Sequence, residues 1–301
     1  MAYQDFFGYL PLERSLVLSF GSVEPLPELP GVVKWIEKYA NIDGYFYADG
    51  IHTRRSHDGG KTFKRVPKST RPALLHRLPA THKLELPTHP DDREAARYGI
   101  AGFVMHMAAF LYGRRCHFYD WWLDGRMSLK STCDYHEPRL EDAIHCFETG
   151  AATWSSWPTR QKTVALNALF LKTRTHSREL EWERFQAEYQ VFDALYAIGR
   201  DLGMVPRVPH AERIPAMCDQ FGIPWDQSRV DTIVRLRNDL LHEALWDGRM
   251  PGEARGNEAF YSSFWLDHLT RRLALRLLGV RGTYPQSAWW RLVVGMFVIE
   301  R

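Results

Sequence analysis

The chain has little cysteine, no long apolar run and almost no net charge. Its four cysteines in 301 residues are Cys116, Cys133, Cys146 and Cys218, too few for a disulfide scaffold. The most apolar stretch, Gly99–Gly113, is about 15 residues long and carries His106, short of the roughly 20 that span a bilayer. The opening residues, MAYQDFFGYL, have no basic start followed by a long apolar segment, so they do not read as a secretory signal. These absences predict a soluble, cytoplasmic protein with no membrane partner. There is no internal repeat and no low-complexity tract. A dinucleotide fingerprint is missing. Gly59-Gly60-Lys61-Thr62 is only the tail of a P-loop, because Arg55 stands where the leading glycine belongs. Ser15, Ser19 and Ser22 lack the glycine frame of a nucleophile elbow.

Lys plus Arg total 39 and Asp plus Glu 36, a net charge of +3. That is too small to signal nucleic acid by itself, so an RNA site would have to be focal. Of those basic residues 30 are arginine, whose planar fork suits phosphates and carboxylates better than an ammonium does. Hydrophobic residues make up 45% of the chain and aromatics 13%, with 11 tryptophans. Such a chain can bury a sizeable core, and its length suggests two domains.

Residues 1–153 read as an α+β domain, β-rich at its start, with a sensing or regulatory role. Ser15–Phe20, Gly44–Ala48, Thr62–Val66 and His82–Leu86 have strand character, and His57-Asp58-Gly59-Gly60 is a turn. A helix is predicted from Asp91 to about Tyr112, then a strand over Cys116–Trp122 and a short helix over Pro138–Phe147. Residues 154–301 read as an all-α bundle. Helices are predicted over Arg160–His176, Arg178–Leu202, Ala211–Phe221, Ser228–Trp246 and Glu258–Leu278. Glycine or proline stops most of them: Gly203, Gly222, Gly248 and Gly279. The apolar run Leu292–Ile299 is a terminal strand or helix. Five helices with short loops suggest antiparallel packing.

The fourth of these helices is the most informative. On a helical projection Val230, Ile233, Val234, Leu241 and Ala244 form one apolar stripe, and Arg237 falls in its middle. An arginine on such a stripe needs a carboxylate, an interface or a phosphate, because a lone buried charge is heavily penalised. Arg235, Asn238, Asp239 and His242 gather on the adjoining flank, with Asn238 and His242 one turn apart.

The hexapeptide Arg237-Asn238-Asp239-Leu240-Leu241-His242 resembles the Arg-x(4–6)-His motif of HEPN ribonucleases, carried on a late helix of a bundle. The resemblance covers roughly residues 155–280, and the Leu278-Gly279…Gly282-Thr283-Tyr284 ending is similar to HEPN proteins of abortive-infection systems. It implies a metal-independent endoribonuclease needing no cofactor, acting as a toxin or anti-phage effector. It also implies a homodimer through the HEPN-like domain, with two motifs facing each other, and an antitoxin or phage-derived trigger as a further partner. The residue types suit the chemistry. RNA brings its own nucleophile, the 2′-OH. His242 can move a proton, Arg237 can fork onto the phosphate, and Asn238 can orient either. Arg235 becomes an extra phosphate contact. The alternative is a non-catalytic helical domain that binds a nucleotide or a partner protein.

Two other groupings stand apart from the motif. Cys133, His136, His145 and Cys146 offer ligand types for tetrahedral zinc, although the second pair is adjacent rather than spaced. Trp121, Trp122, Trp154 and Trp157 are either a base-stacking stripe or core packing.

Overall fold

The structure, a computed structural model, describes residues 2–42, 44–46, 51–55, 61–65, 78–87, 93–121, 126–252, 257–291 and 294–300. The protein is α+β. The chain divides into two compact units, Met1–Asp91 with Gly113–Thr132, and Asp92–Tyr112 with Cys133–Arg301.

Alternating burial builds the first unit. Strand β1 (Tyr3–Gly8) buries Tyr3, Asp5 and Phe7, as the two-residue repeat of a strand requires. It is followed by β2 (Leu16–Leu18), β3 (Gly21–Pro25), helix α1 (Leu29–Lys38), β4 (Tyr45–Phe46), β5 (Ile51–Arg55), β6 (Lys61–Arg65) and β7 (His82–Leu86). Strands β8 (His117–Phe118) and β9 (Met127–Ser128) come later in the chain. The main sheet runs β2-β3-β7-β1-β8, with every neighbour antiparallel. In its register Tyr3 faces Leu86 and Phe7 faces His82. Buried Asp5 accepts hydrogen bonds from the Tyr3 hydroxyl and the Phe6 amide, each 2.8 Å long. A second cluster packs Tyr9, Ile36, Phe46, Leu78 and Met127 together. Strands β1 and β3 and helix α1 have no counterpart in the sequence reading. The strand expected over Cys116–Trp122 is only the two residues of β8, and Trp121 folds back with its ring edge-on to Phe118 at 5.1 Å. Gly59, Gly60 and Trp122 lie outside the described residues.

The second unit holds α2 (Arg93–Arg97), α3 (Ile100–Leu111), α4 (Leu140–Ser155), α5 (Thr159–Arg174), α6 (Glu181–Asp201), α7 (Arg213–Phe221), α8 (Gln227–His242) and α9 (Asn257–Leu277). A small hairpin, β10 (Trp246–Asp247) with β11 (Met250–Pro251), separates α8 from α9. Helix α6 packs along both α5 and α9, and α3 packs against α4 and α5. The expected stops hold at Gly203 and Gly222, whose φ of 71° and 63° are left-handed values that glycine adopts without strain.

Four expectations differ from what is observed. The single helix from Asp91 to Tyr112 is two, because the backbone turns extended at Gly99 (φ −109°, ψ −136°). The boundary expected between 153 and 154 falls inside the last turn of α4. Helices α3 and α4 belong with the helical unit: Phe103 stacks on Trp154 at 5.2 Å, and α3 is buried from Ala101 to Leu111. The helix expected to reach Trp246 ends at His242, because Ala244 takes a φ of 54° and the chain then pairs as β10. The end of the chain, expected as a strand or a helix, is neither over residues 294–300, where Gly295 makes an isolated bridge to Tyr135. Tyr284 and Glu300 amides bond the Val298 and Arg281 carbonyls, burying Phe297 and Ile299 and exposing Met296 and Val298.

The core of the helical unit is unusually charged. The Lys172 ammonium (1% exposed) donates to Glu188 Oε2 at 2.9 Å, to Thr270 Oγ1 at 2.9 Å, to the Asp267 carbonyl at 2.8 Å and to the Asp267 carboxylate. His176, Arg184 and Arg271 also surround Asp267, at 3.2, 3.6 and 3.3 Å. Desolvation would raise the Asp267 pKa, but Lys172 and Arg271 hold it well below the ordinary carboxylate value. A second buried group joins Asp134 to Arg272 at 2.8 Å and to the Tyr284 hydroxyl at 2.5 Å.

Candidate active site

The site is built at the C-terminal end of α8. Asp226 caps the helix start, accepting from the Arg229 amide at 3.1 Å and from the Ser228 hydroxyl at 2.7 Å. Its buried face is Val230, Thr232, Ile233, Leu236 and Leu240. This is rotated from the stripe expected around Val230 and Arg237. Leu241 is 40% exposed, and Ala244 lies beyond the helix. Arg237 therefore sits at the edge of the packed face, half-buried, while Asn238 and His242 are exposed. The rotation comes from the neighbours of α8, which its own periodicity does not specify.

Arg237, Asn238 and His242 are brought together. The Arg237 Nη1 donates to Asn238 Oδ1 at 3.0 Å and to His242 Nε2 at 2.5 Å. On an ideal helix the two ends of this motif diverge by about 140°. The long arginine stem spans that gap across the helix surface. The Arg237 Nε is buried without a hydrogen-bond partner among the described residues. Its guanidinium carbon lies 5.9 Å from the centre of the Tyr189 ring on α6. Arg235 stands apart, with its Nη2 4.0 Å from Glu258 Oε2 and 57% of its side chain exposed.

The sequence reading missed what surrounds the motif. A single 3-10 turn, His210–Glu212, leads into α7. The ring of His210 stacks on Tyr189 at 5.4 Å, and the Tyr189 hydroxyl meets His210 Nε2 at 3.0 Å. Next to it Arg213 pairs with Asp193 at 2.9 Å and lies 4.8 Å from the centre of the Tyr196 ring. Burial lowers the His210 pKa, and the charges of Arg237, Arg213 and His242 lower it further against the pull of Asp193. Burial and Asp193 raise the Tyr189 pKa, so its hydroxyl keeps its proton at neutral pH. Two arginines, two histidines and a tyrosine thus converge from α6, α7 and α8. The only local signal at His210 was Pro209 before a helix start, which says nothing about a helix 30 residues away.

The hairpin after α8 adds an aromatic surface. Trp246, 49% exposed, stacks on Trp182 at 5.2 Å with their planes 22° apart. Two hydrogen bonds fix the hairpin to the start of α6 and the residues before it: the Trp182 amide donates to the Arg249 carbonyl at 3.1 Å, and Arg249 Nη2 to the Glu179 carbonyl at 3.2 Å.

The other groupings do not assemble. His136 is exposed, His145 bonds the Thr149 hydroxyl at 3.2 Å, and Cys133 receives Arg271 Nη1 at 3.4 Å. Burial raises the Cys146 pKa and keeps it a thiol. These four residues do not form a metal-ligating group among the described residues, where His176, Glu188 and Asp267 are the one such grouping. There the place of a cation is filled by the Lys172 ammonium, bonded to both carboxylates. Trp154 and Trp157 are 5% and 6% exposed, so they are core residues and not a stacking stripe. Among the described residues no helix is long and apolar enough to cross a membrane.

No protein-family model matches the chain, and no curated protein or solved structure matches it.

Proposed function

We propose that the protein is a metal-independent endoribonuclease of the HEPN type, its helical unit a HEPN-like bundle. The observation that carries this reading is the Arg237 guanidinium holding Asn238 and His242 together at the exposed end of α8. A phosphate entering there finds the Arg237 guanidinium, and an imidazole freed when Arg237 turns to the phosphate. The RNA 2′-oxygen attacks phosphorus, the P–O5′ bond breaks, and a 2′,3′-cyclic phosphate and a free 5′-hydroxyl form. His242 moves a proton, Arg237 stabilises the crowded phosphorane, and Asn238 orients the pair. Arg235 is an outer phosphate contact once it leaves Glu258. The Trp246–Trp182 stack, on the segment that follows His242, offers a face for one base of a single strand. The resemblance adds a cytoplasmic defence effector or toxin, dimeric through this bundle, with an antitoxin or phage product as its regulator.

The test is cleavage of RNA and of 2′-deoxy-substituted RNA by the purified protein in excess EDTA. Cleavage of RNA alone, yielding cyclic phosphate ends, is expected. A requirement for Mg²⁺, or equal cutting of the deoxy substrate, would overturn the mechanism.

A further inference from the structure

Cleavage by 2′-OH attack needs two proton transfers, one from the 2′-oxygen and one to the 5′-oxygen. His242 can serve only one of them at a time. Within one chain the α8 motif holds no second imidazole. The tertiary structure places another imidazole beside it, from a part of the chain 32 positions earlier.

We propose that His210 is a second proton carrier of this site, with Tyr189 as its positioning residue. This rests on the ribonuclease reading above. The geometry has three parts. Tyr189 is common to both halves: it stacks on His210 at 5.4 Å, and Arg237 lies 5.9 Å from its ring centre. The Tyr189 hydroxyl oxygen, 3.0 Å from His210 Nε2, accepts the Nε2–H in this role and leaves a bare Nδ1 to take up a proton. This follows the logic of a base oriented by a third group. Finally, the 3-10 turn is braced by Arg213, tied at 2.9 Å to Asp193 on α6.

The environments of the two histidines divide the roles. The groups that face His210 are Tyr189 and Asp193 from α6, Arg213 from α7, and Arg237 and His242 from α8. Half-burial and the cationic majority among them favour the neutral imidazole, the form that accepts a proton. His242 is exposed and loses its Arg237 hydrogen bond when the guanidinium turns to the phosphate. His210 Nδ1 takes the 2′-OH proton as the O2′–P bond forms. His242, protonated from solvent once the phosphate is bound, gives its proton to O5′ as the P–O5′ bond breaks. No electron is transferred and no co-reactant is consumed.

The experiment is the pH dependence of kcat/KM on a single-stranded RNA, in EDTA, for wild type, His210→Gln, His242→Gln and Tyr189→Phe. Wild type is expected to give a bell with two ionisations. His210→Gln is expected to lose about 10²- to 10⁴-fold in rate and the acidic limb. His242→Gln should lose a comparable factor and the alkaline limb. Tyr189→Phe keeps the ring against His210 and should displace the acidic limb while leaving the alkaline one. Circular dichroism melts establish that each variant is folded. His210→Gln cutting at the wild-type rate with an unchanged profile would overturn the proposal and leave the ribonuclease reading standing. A wild-type profile with one ionisation, or a Tyr189→Phe profile identical to wild type, would count against His210 in the same way. Wild type that leaves RNA intact overturns both readings.

Discussion

Replacing Lys172 by Met tests the charged core of the helical unit. Met keeps most of the stem and removes an ammonium with four acceptors around it. Asp267 tolerates the loss, because Arg184, Arg271 and His176 remain at 3.6, 3.3 and 3.2 Å. Glu188 does not. It is 0% exposed, its Oε1 has no hydrogen-bond partner among the described residues, and it keeps only the Thr270 hydroxyl at 3.0 Å. It must stay charged and unpaired or take up a proton. Removing one partner from a buried pair typically costs ~3–5 kcal/mol. At ~2–4 °C per kcal/mol for a unit of this size, the melting temperature should fall by roughly 6–20 °C. The double variant Lys172→Met/Glu188→Gln should regain much of this loss, because the stranded charge is gone. Urea and thermal unfolding followed by circular dichroism measure both effects. A Lys172→Met protein within 1 kcal/mol of wild type, or a double variant less stable than the single, would refute the view that this ammonium satisfies Glu188.

Other outcomes follow from the same contacts. Arg237→Ala and His242→Ala are expected to abolish RNA cleavage, with His242→Ala melting as wild type does because the residue is exposed; a folded His242→Ala protein of full activity would remove its role. Asn238→Ala is expected to lose activity only in part, read as kcat at saturating RNA. Trp246→Ala should raise KM for single-stranded RNA with little change in kcat, and RNA should quench tryptophan fluorescence in wild type more than in the variant. His106, buried on α3 with its ring 5.6 Å from Phe170, has its pKa lowered to about 4 by burial. The unfolded chain then binds a proton that the folded one does not between about pH 6.5 and 4. Stability should fall by up to about 3 kcal/mol as pH drops through that window, and His106→Leu should flatten that part of the urea-midpoint profile.

The helices of the second unit were legible because each carries its own punctuation. Gly203 and Gly222 end α6 and α7 with left-handed φ values, and Asp226 caps α8. The strands β2, β4, β6 and β7 were marked by their apolar alternation and turns. Strand β1 was not, because its buried Asp5 is satisfied by Tyr3 and by the Phe6 amide, contacts that a local apolar pattern does not reveal. At the site, the resemblance of Arg237-Asn238-Asp239-Leu240-Leu241-His242 to a known motif singled out Arg237, Asn238 and His242, and a helix brings i, i+1 and i+5 within reach of a long guanidinium. The sequence misjudged the buried face of α8: periodicity gives the angle between side chains, whereas the packing partner decides which angle points inward. That choice lifted Arg237 to the edge of the core and buried Leu236 and Leu240. The same limit hid the other half of the cluster. His210 and Tyr189 meet α8 only when α6, α7 and α8 pack together, and an attraction between residues so far apart in the chain leaves no mark on the local pattern of either segment. The sequence by itself determined most of the helices and placed Arg237, Asn238 and His242 on one of them; tertiary packing alone decided that Lys172 fills the carboxylate cluster and that Tyr189 and His210 stand beside Arg237.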